Sequence, residues 1–276
     1  SASARTSQSK AHFATFEGNT VYGEVIITDE GSGVKPFYFK MTGTGSALSS
    51  RTYFAKEITV SGTHYPKYCV IHDKHLVVAG AATALNTIFY SGTSDIDDFT
   101  SSGSGSIVLD DQVVGLKSFR NELFVFCKNS IYKLQNINNA STIAIVPVTK
   151  NVGCVDGKTI QEFAGDLIFL APDGFRTIAG TARIGDVELG TISKAIQPVI
   201  NSIFDSTITF EYNSVVLRDK SQYRMYYSGS AQSTANSKGI IGTLTTRGFE
   251  WSELQGIQAP AITSGFNYAG KEKTYH

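Results

Sequence analysis

The residue types in this chain that could do chemistry lie mostly in short polar segments between apolar runs. His72 and His75 stand three residues apart, and two imidazoles at such a spacing can share a metal ion when further ligands come from elsewhere. The helix with the pattern HExxH that would carry such a site is absent from the sequence. We therefore interpret the two histidines as the borders of a hairpin turn, with no metal bound.

Carboxylates cluster in two places, at Asp95, Asp97 and Asp98 and again at Asp110 and Asp111. Such clusters are typical of Ca²⁺ loops, but the glycine and the terminal glutamate of an EF-hand are missing here. We interpret both clusters as turn caps or solvated loops. Glycoside hydrolysis needs two carboxyl groups that face each other across a cleft, and the sequence does not single out such a pair.

Motifs for nucleophilic or phosphate chemistry are weak in this chain. Residues 103–105 (GSG) approach a nucleophile elbow, but no strand-turn-helix pattern surrounds them. Neither GxxxxGK[ST] nor GxGxxG between a strand and a helix is present. The three cysteines form no CxxC pair, which predicts reduced thiols in a protein made in a cytosol. These cysteines are Cys69, Cys127 and Cys154. From the motifs together we predict that the chain has no catalytic, cofactor-binding or metal-binding residues and is not an enzyme.

Four tyrosines lie in predicted strands, namely Tyr90, Tyr132, Tyr226 and Tyr227. A ring of such side chains could stack against sugars. Tyrosine in a strand more often packs half-buried with its hydroxyl at the rim, and we favour that interpretation. A carbohydrate-binding or glycan-cleaving β-propeller stays open as the alternative function, with Asp97 and Asp98 as the first residues to change in a test for sugar release.

A repeated strand-turn-strand unit positions all of these residues. Copies begin at residues 72–80, 119–127 and 163–171, a spacing of roughly 45 residues. Each copy has a polar turn, an apolar strand, a second turn and a second strand. One hairpin cannot cover its own apolar surface, whereas several side by side can. We therefore predict an all-β fold, a β-propeller-like array of antiparallel hairpin or blade units with one short helix.

That helix is predicted at residues 191–204, where apolar residues recur at helical spacing. Ser193 is a candidate N-cap, and Pro198 inside the segment predicts a short or kinked helix. We interpret the apolar stripe as part of the core; its members are Ile192, Ile196, Val199, Ile200 and Ile203.

Three regions follow from composition and pattern. Residues 1–10 are small and polar and predict a flexible N-terminal segment. Residues 11–62 predict a β-hairpin region that forms a blade or a small β subdomain, and residues 63–276 the propeller-like repeat region. Because residues 266–276 look like the start of another hairpin, we expect the chain to be part of a longer polypeptide.

Charge and hydropathy narrow the classes of partner. The chain of 276 residues has 24 basic and 24 acidic residues, so it lacks the basic excess of a free-standing nucleic-acid binder. It contains no apolar run long enough to span a membrane, which predicts no membrane segment. Only 17% of the residues are charged, which suits a surface that neighbours cover.

The repeat resembles a known family. Residues 88–92 (IFYSG) and 95–99 (DIDDF) resemble a segment of the tail proteins of tailed bacteriophages. The same family pattern continues in residues 115–126 with 130–134, and then in residues 153–155 with 165–175. Residues 183–196 are also similar. The family is that of tail nozzle or tail-hub proteins of the tail tubular protein B type, and the match covers residues 72–200.

The resemblance implies a virion structural protein with β-propeller-like domains. Such a subunit forms a homo-oligomeric ring below the portal, around the channel through which genomic DNA passes without sequence recognition. It implies contacts with other tail or portal-adaptor proteins, a place in the virion tail after synthesis in the host bacterial cytoplasm, and a role in DNA ejection. The loops at residues 101–106 and 228–238 are candidates for inter-subunit or host-facing contacts. Beside the tail protein and the carbohydrate-binding propeller, a third function stays open, that of a non-viral adaptor propeller that binds a soluble peptide partner.

Overall fold

The computed structural model of the chain describes residues 11–16, 24–30, 33–42, 52–62, 64–179, 191–229, 238–256, 263–266 and 271–275. Within these ranges the chain is built from consecutive β-strands, in sheets whose strand order follows the order of the chain. The α-helix that the described residues contain in full is α1 (Gln197–Phe204). None of the helices in these ranges has both the length and the apolar character needed to cross a membrane.

Three four-stranded sheets come first. The first sheet has β1 (Ala11–Phe16), β2 (Glu24–Asp29), β3 (Phe37–Thr42) and β4 (Thr52–Glu57). The second sheet has β5 (Tyr68–His72), β6 (His75–Ala81), β7 (Ala84–Tyr90) and β8 (Gly105–Val108). The third sheet has β9 (Val113–Phe119), β10 (Glu122–Cys127), β11 (Ile131–Gln135) and β12 (Ala144–Thr149).

Three further sheets follow in the described residues. The fourth has β13 (Gln161–Phe163), β14 (Asp166–Ala171) and β15 (Gly174–Thr177). The fifth has β16 (Phe210–Leu217), β17 (Gln222–Gly229), β18 (Lys238–Thr245) and β19 (Gly248–Leu254), and the sixth has β20 (Thr263–Phe266) and β21 (Glu272–Tyr275). The predicted fold class is confirmed: the chain is an all-β, propeller-like array of antiparallel sheets with a short helix.

The chain divides into two compact units, Ser1–Pro147 and Val148–His276. The boundary predicted after residue 62 lies between the first and second sheets, and both sheets belong to the unit Ser1–Pro147. As a domain boundary it stays a prediction. The flexible segment predicted at residues 1–10 lies outside the described residues. Residues 11–62, predicted as hairpins, hold the complete four-stranded first sheet.

The second sheet lies between the first and the third inside the first unit. Every residue of its strand β6 is buried, which requires cover on both faces. On one face Val77 packs in a cluster with Leu123 and Val125 of the third sheet. On the other face Val78 packs with Ile26 of the first sheet. Because successive side chains of a strand point to opposite faces, an unbroken apolar run is what this position demands.

Helix α1 belongs to the core of the second unit, as predicted. Ile200 is fully buried and lies in one cluster with Phe175 of β15 and Tyr223 of β17. Pro198 stands in the first turn, where its missing N–H costs no helical hydrogen bond, so the helix begins there and is short. Ser193 does not cap it: its hydroxyl accepts a hydrogen bond from the backbone N–H of Phe175 at 2.9 Å.

The three sequence copies share one turn geometry. At each of the three turns, two adjacent central residues have positive φ, as a two-residue type I′ hairpin requires. The angles are 46° and 65° at Asp73 and Lys74, 50° and 60° at Arg120 and Asn121, and 52° and 77° at Ala164 and Gly165. The third turn is the one that places an alanine in the left-handed region, which glycine and asparagine adopt more readily.

Replacing that alanine should stabilise the protein. We expect Ala164→Asn to raise the free energy of unfolding by about 0.5–1 kcal/mol, because asparagine tolerates the left-handed conformation better than alanine does. Urea unfolding measures the change. The matched control is Ala140→Asn, at an exposed loop residue without positive φ. An equal gain in both variants, or a loss at residue 164, would contradict the turn assignment.

Candidate functional site

The histidines that drew attention in the sequence flank the β5–β6 turn, as predicted, and reach from the second sheet to the third. His72 is buried, and its Nδ1 lies 2.9 Å from the hydroxyl oxygen of Ser118 in β9. Burial lowers the pKa of His72; the nearby Asp73 carboxylate opposes this shift and His75 adds to it. His72 is therefore favoured in its neutral form in the folded protein.

His75 joins three segments of the first unit. Its Nδ1 lies 2.5 Å from the carbonyl oxygen of Ser91, which only accepts, so this nitrogen donates. In the neutral ring Nε2 then accepts, and its donor is the Thr93 hydroxyl at 3.2 Å; Oδ1 of Asn138 lies 2.9 Å from the same nitrogen. Both ring nitrogens are thus engaged in contacts that hold the fold. The described residues contain no group of three or more His, Cys, Asp or Glu side chains placed to hold a metal ion.

Asp97 makes the corresponding contact between the second sheet and the first. It lies in the loop after β7, and its carboxylate accepts a hydrogen bond from the Tyr38 hydroxyl at 3.3 Å and pairs with the Lys56 ammonium. Burial acts to raise the pKa of Asp97, but the contacts with Lys56, Asp95 and Tyr38 outweigh it, so this pKa is lowered. The pKa of Asp95 is raised, first of all by its hydrogen bond with Asp97.

Asp95 and Asp97 therefore differ in acidity, which is the first requirement for an acid and a base that work together. Their geometry does not suit the cleavage of a glycosidic bond. The two carboxyl groups are hydrogen-bonded to each other, whereas the pair in a glycosidase stands roughly 5 Å or more apart with the sugar between. What the arrangement does is hold the loop after β7 against the first sheet.

Asp98 caps its own loop, as the turn-cap interpretation predicted. Its Oδ1 accepts hydrogen bonds from the backbone N–H groups of Thr100 at 2.8 Å and Ser101 at 3.0 Å. These bonds, that of Thr100 first, lower the pKa of Asp98 to about 2. In the same loop the Ser104 hydroxyl donates to the carbonyl oxygen of Ser101 at 2.7 Å, so the GSG segment is a turn that leads into β8 and not an elbow.

Asp111 also acts as a turn cap, on the hairpin between β10 and β11. It accepts hydrogen bonds from the backbone N–H of Asn129 at 2.7 Å and from the Ser130 hydroxyl at 2.8 Å. Burial opposes the resulting shift, yet the pKa of Asp111 is lowered. The neighbouring Asp110 is exposed.

The aromatic and thiol candidates are core residues. The four strand tyrosines pack as predicted, but they are buried where half-burial was expected, since each is at most 8% exposed; they are Tyr90, Tyr132, Tyr226 and Tyr227. The cysteines are free thiols. Burial raises the pKa of Cys127 and of Cys154 to about 12 and that of Cys69 to about 11, so little thiolate is present at neutral pH.

A polar groove of ≈ 480 Å³ lies where the turns of the second and third sheets meet, within the first unit. Amides and carboxylates line it, among them Asp73, Asn121, Glu122 and Asn139. Sequence reasoning missed the groove because three separate turns build it. The Asn-rich stretch at residues 135–141 was the signal that could have pointed to it. Groups of this kind can hydrogen-bond a sugar or a peptide backbone.

Comparison with known proteins leaves the family of the chain open. No family model and no curated protein matches it. The N-terminal domain of Nup159 is similar with a TM-score of 0.45 and 11% identity, over 88% of this chain and 64% of that one. A structure from a study of two prolyl endopeptidases has a TM-score of 0.39 and 8% identity, over 93% and 43%. The chain thus spans less than two thirds of either protein, and neither likeness bears on function.

The buried His72 makes stability depend on pH. Its pKa in the folded protein is lowered from 6.5, so below that value the unfolded chain takes up the proton more readily. The free energy of unfolding should therefore fall as the pH drops from neutral through 6.5 and below. We expect His72→Asn, which keeps a polar partner for Ser118, to flatten this slope in urea unfolding series at fixed ionic strength.

Ser118→Ala is the matched control, because it removes the partner and leaves the titrating ring in place. It should lower stability at every pH and retain most of the slope. A slope in His72→Asn as steep as that of the unchanged protein would contradict the role of this histidine.

Proposed function

We propose that this chain is a virion structural protein, a subunit of a phage tail or connector ring of the nozzle or hub type. The observation that carries the proposal is where the segments that resemble that family lie. Residues 88–92 contain the end of strand β7, and residues 115–126 with 130–134 contain most of β9, β10 and β11. The resemblance therefore falls on the strands and turns that make the sheets stack, which suits a family whose role is assembly.

The contacts of the polar side chains fit a scaffold. His75 engages both ring nitrogens within the first unit, Asp97 is held by Tyr38 and Lys56, and Asp111 caps a hairpin. A catalytic group needs a free face toward a substrate. The hydrogen bonds of these candidates are made to other residues of the fold, where they hold sheets and turns in place.

In the proposed ring, copies of the chain meet through head-to-tail contacts around a channel. The loop at residues 101–106 is a candidate for such contacts, and Ser101, Ser102 and Gly103 in it are exposed. Of the other candidate loop, residues 230–237 lie outside the described residues. With 24 basic and 24 acidic residues the chain has no excess positive charge to hold phosphates, which suits DNA that passes without being bound. The subunit would contact other tail or portal-adaptor proteins and reside in the virion tail.

The alternative is carbohydrate binding, and the polar groove is the observation in its favour. Planar amide and carboxylate groups such as Asn121 and Glu122 are suited to sugar hydroxyls. The usual stacking partners are missing from the candidates, because Tyr90 and Tyr132 are buried in the core. We therefore rank this function below the ring subunit.

Cryo-electron microscopy of the purified chain, and of the particle with which it copurifies, tests the proposal. We expect a symmetric ring around a central channel, with the sheets as its blades. Ser102→Glu should weaken the ring, because it places a charge in a candidate contact loop, whereas Ser141→Glu, in another exposed loop, should not. A monomer absent from particles that binds glycans through Asn121 and Glu122 would contradict the proposal and favour the alternative.

A further inference from the structure

One face of the first sheet is left exposed by the residues that the structure describes. Its inner face packs on the second sheet through Phe16, Ile26 and Tyr38. The register places Phe13, Ile27 and Phe37 in one cross-strand row on the opposite face. Thr15, Val25, Phe39 and Ala55 form the next row of that face, and Tyr53 lies beyond them on β4. We call this surface the outer face of the first sheet.

The outer face is apolar and exposed. Phe13 is 64% exposed, Tyr53 61%, Phe39 49% and Val25 37%. Phe37 packs edge-on against Phe39, with ring centroids 5.5 Å apart. Single exposed apolar side chains are ordinary, but a contiguous aromatic patch on one sheet face is typical of an interaction surface.

The fold itself shows what kind of surface covers such a face. Within the same unit, the second sheet is covered on both sides by apolar faces of neighbouring sheets. A matching partner for the outer face is therefore another apolar sheet face. The remaining exposed large apolar side chains in the described ranges are spread over other elements or point elsewhere: Phe54, Leu85, Val108, Val146, Phe204 and Ile208. Among the described residues, the surface that best matches the outer face is the same face on a second copy.

The size of the patch fits a reversible contact between two copies. A fully covered aromatic side chain buries roughly 150–250 Å², so the exposed fractions leave on the order of 100 Å² on each of Phe13, Phe39 and Tyr53. With the aliphatic neighbours, a pair of copies would bury on the order of 1,000 Å², at the lower end of specific interfaces. At the β4 end of the first row, Glu57 forms an ion pair with Lys35 at 3.7 Å, so this end of the row adds no net charge that would repel a second copy.

We propose that two copies of the chain associate through the outer faces of their first sheets, packed face to face as in a β-sandwich. The contact is isologous, since the same surface serves both copies. Facing sheets pack about 10 Å apart with their strands roughly 30° from parallel, which lets the aromatic rows interdigitate. The contact is separate from the head-to-tail contacts of a ring and does not depend on the ring function.

Sedimentation velocity of the whole chain across the micromolar range tests the proposal. We expect a reversible equilibrium between monomer and dimer. Phe39→Glu should raise the dissociation constant by roughly tenfold or more, because it buries a carboxylate without a partner in the contact. The matched control is Val108→Glu, on β8 of the second sheet, where the side chain is 70% exposed; it should leave the equilibrium unchanged. Circular dichroism and thermal unfolding confirm that both variants fold.

Thiol cross-linking gives a second measurement that does not depend on weakening the contact. Val25 lies in the middle of the outer face, so Val25→Cys should yield covalent dimer with a short bis-maleimide, and Val108→Cys should yield much less. Cys127 and Cys154 are buried and add little background, and the half-buried Cys69 is present in both variants, so it adds the same background to each.

A monomer at all concentrations, or equal cross-linking in both cysteine variants, would overturn the proposal. A closed ring that forms equally well with Phe39→Glu and contains no face-to-face pairs would also overturn the proposal. That result would not count against the proposed ring function.

Discussion

Cover on both faces of the central strands is the constraint on which the rest of this structure depends. Strand β6 is buried along its whole length, so the second sheet is stable only with a neighbour on each side. The first and third sheets supply those neighbours. In the first unit three sheets are therefore stacked, where a single sandwich would have two.

Apolar packing between sheets has little directional preference, so polar contacts at the sheet borders fix how the sheets sit within each unit. In the first unit His75 does this between the second and third sheets, and Asp97 between the first and second. In the second unit the buried Tyr223 hydroxyl donates to the carbonyl oxygen of Thr159 at 2.8 Å, which ties the fifth sheet to the segment before the fourth. Burial raises the pKa of Tyr223, which keeps the hydroxyl protonated and able to donate.

The sequence predicted the parts of the fold whose signal is local. The apolar runs of β6, β10 and β14 are continuous because both faces are buried, and the turns before them share one geometry. The outer strands carried little signal, since all six residues of β4 are exposed and β12 is mostly exposed or half-buried. The roles of the polar candidates could not be predicted from the sequence, for another reason. Asp97 meets partners 41 and 59 residues away in the chain, and sequence spacing does not reveal such pairs.

The order of the strands has a consequence for how the protein is made. Each sheet is assembled from strands that are consecutive in the chain, so most of its backbone pairs join residues close in sequence. Local pairing of this kind forms quickly, and domains with it fold as synthesis proceeds. A sheet can therefore form when roughly 45 residues have left the ribosome, but its exposed apolar face waits for the next sheet to emerge. The rate of translation sets how long each nascent face stays open, and with it the time during which a chaperone or another nascent chain can reach it.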